Sequence, residues 1–111
     1  MMIKEEISRR KADFLRLCIG HNVKYLYAFG SATTDQFDHS RSDIDLIVEI
    51  EESDPINKGE TIMSLWDRFE TFFERKVDLL TESSLKNPYL INSINKSKVL
   101  IYDGASKEIF V

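Results

Sequence analysis

Cysteine is nearly absent: Cys18 is the only one among 111 residues. A lone thiol cannot close an intrachain disulfide, and it leaves too few sulfur ligands for a cysteine-built zinc site. Two prolines and four glycines go with the lack of any internal repeat, low-complexity tract or interdomain linker. No apolar run approaches the roughly 20 residues that a membrane-spanning helix needs. The first stretch, "MMIKEEISRRKADF", is charged throughout and lacks the apolar centre of a secretory signal, so the expected location is the cytoplasm. Positive charge is not in excess either. Lys and Arg number 15 against 19 Asp and Glu, a net charge of −4, which argues against a surface built to grip nucleic acid by its phosphates. What remains is 42% hydrophobic and 31% charged, the composition of a soluble globular protein. The length suits one modest core, a single domain over residues 1–111.

The pattern predicts helix, strand, strand, helix, strand, helix, strand. Ile3, Ile7, Phe14 and Cys18 fall near one face of a helix running to about Ile19, which Gly20 should stop. "VKYLYAF", Val23 to Phe29, is β-branched and aromatic, as strands are. Gly30 to Ser42 reads as a polar loop with one helical turn after Ser31. Asp43 to Ile50 forms the second strand, and "EESDPINKGE" a surface connection. From Glu60 to Glu74, Ile62, Leu65, Trp66, Phe69, Phe72 and Phe73 make a core-facing helical stripe. "KVDLLT", Lys76 to Thr81, is a third strand. Asn87-Pro88 should cap and start a helix ending near Lys96. Lys98 to Asp103 closes the chain as a strand. The expected class is α/β (α+β), a small mixed sheet flanked by helices. Cys18 reads as core filler.

Asp43 and Asp45 head an otherwise apolar strand, although aspartate is depleted in strands and a carboxylate near a core needs a partner. At positions i and i+2 they would share a face and raise each other's pKa unless a cation lies between them. Mg²⁺ resolves that conflict, being held by one or two carboxylates together with substrate phosphates. The alternative is a strand that starts at Ile44, with Asp43 in a solvated turn and Asp45 at a wet end. Asp78 in "KVDLL" is a third acid inside a short apolar strand. It would join the pair if its strand lay beside the second, and is otherwise an ordinary edge acid. Gly30-Ser31 directly follows a strand; Gly lets a ligand approach the backbone, and a helix start there aims N–H groups at an anion.

Together, "FGSATTDQFDHSRSDIDLIVEI" and "RKVDLLTESSL" resemble the minimal nucleotidyltransferases of the polymerase-beta superfamily. Gly30-Ser31, Asp43-Ile44-Asp45 and Asp78 match the family pattern of Gly-Ser, Asp-x-Asp and a later third acid. The aromatic helix before "RKVDLL" and the closing "NPYLINSINKSKVLIYDG" extend the likeness over most of the chain. The resemblance implies a polymerase-beta-like nucleotidyltransferase fold and Mg²⁺-dependent transfer of a nucleoside monophosphate from an NTP, ATP being the expected donor. Two metal ions would clamp the attacking and leaving oxygens. Asp43 and Asp45 would bridge them, while Asp78 would complete the site and help to deprotonate the acceptor hydroxyl. Gly30 and Ser31 would cradle the phosphates.

The chain departs from the family where many relatives carry "GSRARG". Ala32, Thr33 and Thr34 replace the basic stretch, and Asp35, which repels phosphate, sits where a glycine would be. Arg41 is the candidate cation from the same loop, with Lys24 and Lys58 as others if the fold brings them near. Stand-alone members typically pair with a small helical HEPN-type toxin, which they neutralise as antitoxin by transferring AMP to a hydroxyl, usually of tyrosine. The chain ends soon after the acids, so a partner would have to supply the acceptor surface. That is the leading expectation. A binding module that neutralises its partner by occupancy, and a transferase acting on RNA or a small molecule, are the alternatives.

Overall fold

Alternation along β1 (Val23–Phe29) sends Leu26 and Ala28 to one side of the sheet and Tyr25, Tyr27 and Phe29 to the other. The computed structural model describes residues 1–33 and 43–111; the residues between them, with Thr34, Asp35, His39 and Arg41, lie outside the described residues. β1 is flanked by antiparallel β2 (Ile44–Ile50) and β4 (Val99–Asp103). β3 (Val77–Leu80) lies parallel to β2, and a two-residue β5 (Glu108–Ile109) pairs with β4, giving the order β3-β2-β1-β4-β5. Parallel neighbours need a crossover, which α3 (Pro55–Phe73) supplies between β2 and β3.

Leu26, Ala28, Ile44, Leu46, Val48, Ile50, Val77 and Leu79 line the face covered by α1 (Met2–Arg9), α2 (Lys11–Gly20) and α3. Phe14 stacks on Phe69 with ring centroids 5.5 Å apart and meets Phe72 edge-on at 5.3 Å. Cys18 is fully buried there, and burial pushes its thiol up to about 12, so it is core filler. The opposite face is only partly covered. α4 (Pro88–Ser97) lies over Ile47, leaving a cavity of about 210 Å³ lined by Ile47, Glu82, Leu85, Ile91 and Ile94.

The structure is the expected mixed sheet with flanking helices, with four differences in its elements. The first helix is two, broken at Arg10, whose backbone leaves the helical region (φ −134°, ψ 47°). The Arg10 guanidinium bonds the Phe72 carbonyl and lies 4.0 Å above the Phe72 ring, so the break serves a contact with α3. The second helix also runs through Gly20 rather than stopping before it. α3 starts at Pro55, not Glu60, because Asp54 accepts from the Ile56 N–H at 2.9 Å and Pro occupies the first helical position. β5 was not expected.

Candidate active site

The site is built where β1 ends and β2 and β3 begin. In the sheet, Phe29 pairs with Asp45 and Asp45 with Asp78, so both aspartates stand side by side on the partly covered face. The strand proper starts at Ile44, whose N–H donates to the Lys76 carbonyl at 3.1 Å. Asp43 therefore sits at the entrance to β2 rather than within it, half-exposed. Its charge still reaches Asp45. Burial first, then the charge and hydrogen bond of Asp78, then the charge of Asp43, raise the Asp45 carboxyl from 3.8 to about 6. The three acids are electrostatically joined through Asp45.

Gly30 follows β1 in a left-handed conformation (φ 69°). A Cβ there would lie 2.8 Å from Asp45 Oδ2, closer than real contacts allow. Only glycine lets the chain turn this tightly against the carboxylate. Ser31, Ala32 and Thr33 continue as one 3-10 turn, with Ala32 buried and the Thr33 hydroxyl donating to the Gly30 carbonyl at 2.8 Å. Gly30 and Ser31 thus stand next to the acids, whereas Arg41 lies outside the described residues.

Lys24 and Lys58 do not come near. Lys24 is exposed at the start of β1, about 16 Å by strand rise from its other end. Lys58 pairs with Glu49, far along β2 from Asp45. A further cation on the open face, which sequence reasoning passed over, is Lys98: its Nζ lies 4.6 Å from the Tyr27 ring centroid and 3.9 Å from Glu82 Oε1. No spacing rule announces it, because α4 and β4 together place it. Among the described residues, no three acidic, histidine or cysteine side chains form a ready metal cage.

A family model described as "Polymerase beta, Nucleotidyltransferase" matches residues 13–107. The chain belongs to this nucleotidyltransferase family. A Methanocaldococcus jannaschii protein named "Putative protein adenylyltransferase" is 32% identical over 97 residues, covering 87% of this chain and 93% of its own. A solved structure described as a "putative minimal nucleotidyltransferase" is 25% identical with a TM-score of 0.60, covering 86% of this chain and 92% of that one. A chain from the solved complex of a tri-AMPylated Shewanella oneidensis HEPN toxin with an MNT antitoxin shares the fold, with a TM-score of 0.53 at 18% identity, covering 86% and 71%. The fold is thus polymerase-beta-like, and the chemistry of this nucleotidyltransferase is nucleotidyl transfer.

Proposed function

We propose that the chain transfers AMP from ATP to a tyrosine hydroxyl on a helical HEPN-type toxin, and so acts as the cytoplasmic antitoxin of that pair. The observation that carries this reading is the meeting of Asp45 and Asp78 on adjacent strands, with Gly30 closed against Asp45, in a nucleotidyltransferase domain. The adenylyltransferase name of the M. jannaschii relative and the AMPylated toxin in the Shewanella complex support the donor and the acceptor.

In this reading Asp43, Asp45 and Asp78 are the catalytic and metal-binding acids. Their oxygens are hard donors, and the burial and neighbouring acid charge that raise the Asp45 carboxyl are what a divalent cation would offset, so the set fits Mg²⁺. Bound Mg²⁺ would neutralise phosphate charge at the reacting centre. Asp78 would take the proton of the acceptor hydroxyl as its oxygen bonds to the α-phosphorus and pyrophosphate leaves. Gly30 and Ser31 would meet the β- and γ-phosphates through backbone N–H groups and the Ser31 hydroxyl, with Arg41 as the cation from the loop.

Intact-mass spectrometry of the chain with a HEPN-type protein, ATP and Mg²⁺ tests this. The expected result is a gain of one or more AMP units on the partner, lost without Mg²⁺ and reduced about 10²–10⁴-fold by Asp78→Ala. A complex without any mass gain would favour the binding module instead. One observation speaks for that second reading: buried Ala32 offers phosphate no charge at the place of the first arginine of the family's "GSRARG". Label on RNA or a small molecule without the partner would sink both.

A further inference from the structure

The start of β3, at Lys76 and Val77, is held from two sides. On the inner side, the Lys76 carbonyl accepts from the Ile44 N–H of β2 at 3.1 Å. On the outer side, where an edge strand would face water, two side chains of α3 reach it. The Val77 N–H donates to Glu70 Oε2 at 3.0 Å, and Trp66 Nε1 donates to the Val77 carbonyl at 2.6 Å. Trp66 and Glu70 are i and i+4 on α3, hence neighbours on one helix face. The helix itself is anchored through buried Leu65, Phe69, Phe72 and Phe73.

These bonds fall on two consecutive peptide planes. The Lys76–Val77 plane is bonded at both ends, its carbonyl to β2 and its N–H to Glu70. The next plane joins Val77 to Asp78, and its carbonyl is held by the indole. Asp78 therefore leaves a backbone whose two preceding planes are already fixed. Alternation turns the Val77 side chain into the core and Asp78 to the other face, opposite Asp45. A change of peptide-plane angle at this point swings the carboxylate directly, because β3 has only four residues to average it out.

We propose that Trp66 and Glu70 are positioning residues for Asp78, setting its carboxylate against Asp45. The assignment rests on reading Asp78 as a site acid. Neither residue touches the reacting atoms, so each acts only through the Val77 backbone. Loss of such support at a reacting carboxylate typically lowers activity about 10–100-fold.

The test compares Glu70→Ala, Glu70→Gln, Trp66→Phe and Asp78→Ala in the full chain with its protein acceptor. Glu70→Ala and Trp66→Phe should lower kcat about 10–100-fold with KM for ATP changed less than about twofold. Glu70→Gln, whose amide oxygen still accepts from Val77, should restore most of the rate. Combined with Asp78→Ala, Glu70→Ala should cause no further loss, since it acts through the residue already removed. Wild-type kcat in Glu70→Ala and Trp66→Phe, with transfer lost in Asp78→Ala, overturns the positioning role alone. Wild-type transfer in Asp78→Ala overturns the site reading instead. If no AMP transfer occurs, amide hydrogen exchange decides. Glu70→Ala should speed exchange at Asp78 about tenfold or more while the α3 amides keep their protection, and unchanged exchange at Asp78 rejects the proposal.

Discussion

On the side of the sheet turned toward α1, α2 and α3, Leu26, Ala28, Leu46, Val48 and Leu79 are buried hydrocarbon packed against phenylalanines. One residue along the same strands, on the side turned toward α4, stand Tyr25, Tyr27, Asp45, Glu49 and Asp78, half-exposed and held by directional bonds. The Tyr25 hydroxyl donates to Glu82 at 2.7 Å, and burial and that bond raise its pKa. Lys58 pairs with Glu49. The closed side gains from removing apolar area from water, about 1.5–3 kcal/mol for each large side chain. The open side gains little from its partly solvated pairs and tolerates a raised carboxyl pKa. Its strands stay in place because their backs are buried. Stability and chemistry are thus divided between alternate residues of shared strands.

The division breaks most visibly at Phe14. Phe14→Ala removes the ring that contacts Phe69, Phe72 and Phe73, and should cost about 3–5 kcal/mol. A thermal melt should drop by more than about 10 °C, while ATP affinity of the folded fraction stays near wild type. A melt shifted by only a degree or two would mean that the closed side is not where stability resides.

A smaller effect, felt on both sides, is expected at the seam. Gly30→Ala places a side chain in the left-handed region, costing about 1–2 kcal/mol, and drives its Cβ into Asp45 Oδ2. Denaturant melts should show that loss, and AMP transfer should fall with it. Unchanged transfer would separate the turn from the site.

The smallest effect lies on the open side alone. The folded pKa of Asp45 is raised, so the carboxyl favours folding below about pH 4, and this contribution is lost as pH rises through about 6. In metal-free buffer, Asp45→Asn should therefore melt slightly higher than wild type at about pH 8, by no more than about 1 kcal/mol after solvent screening. The difference should vanish toward about pH 4. Superimposed profiles across that range would mean that the carboxylate bears no burden in the folded chain.

Those strands were legible because one period, two residues, marks both their faces. Ile44 and Leu46 announce a core, and Asp45 between them announces an exception. Asp78 was readable as an odd acid, but its meeting with Asp45 depends on a parallel pairing that α3 creates and local pattern does not encode. The break at Arg10 was invisible for a similar reason: no glycine or proline marks it, and the partner of its side chain lies on another helix. The start of α3 was different. Asp54-Pro55 carries the same capping signal as Asn87-Pro88, and Gly59 inside the first turns disguised it as a loop. Trp66 reads as part of the core-facing stripe and nothing singles out Glu70, since spacing cannot tell which helix face will lie along a strand edge. The stretch with Asp35 and Arg41 lies outside the described residues.

The outermost strands carry a consequence for how the protein behaves in company. At one rim of the sheet lies β5, only two residues long, and at the other β3, whose first outward-facing amide and carbonyl are occupied by Glu70 and Trp66. Open rims are where stray strands from other copies dock and seed aggregates, and short or capped rims discourage it. Sideways growth of this sheet finds a stub on one margin and a blocked first rung on the other. Recognition by other proteins is thereby steered to faces and helices, and self-association by strand exchange is disfavoured from either border.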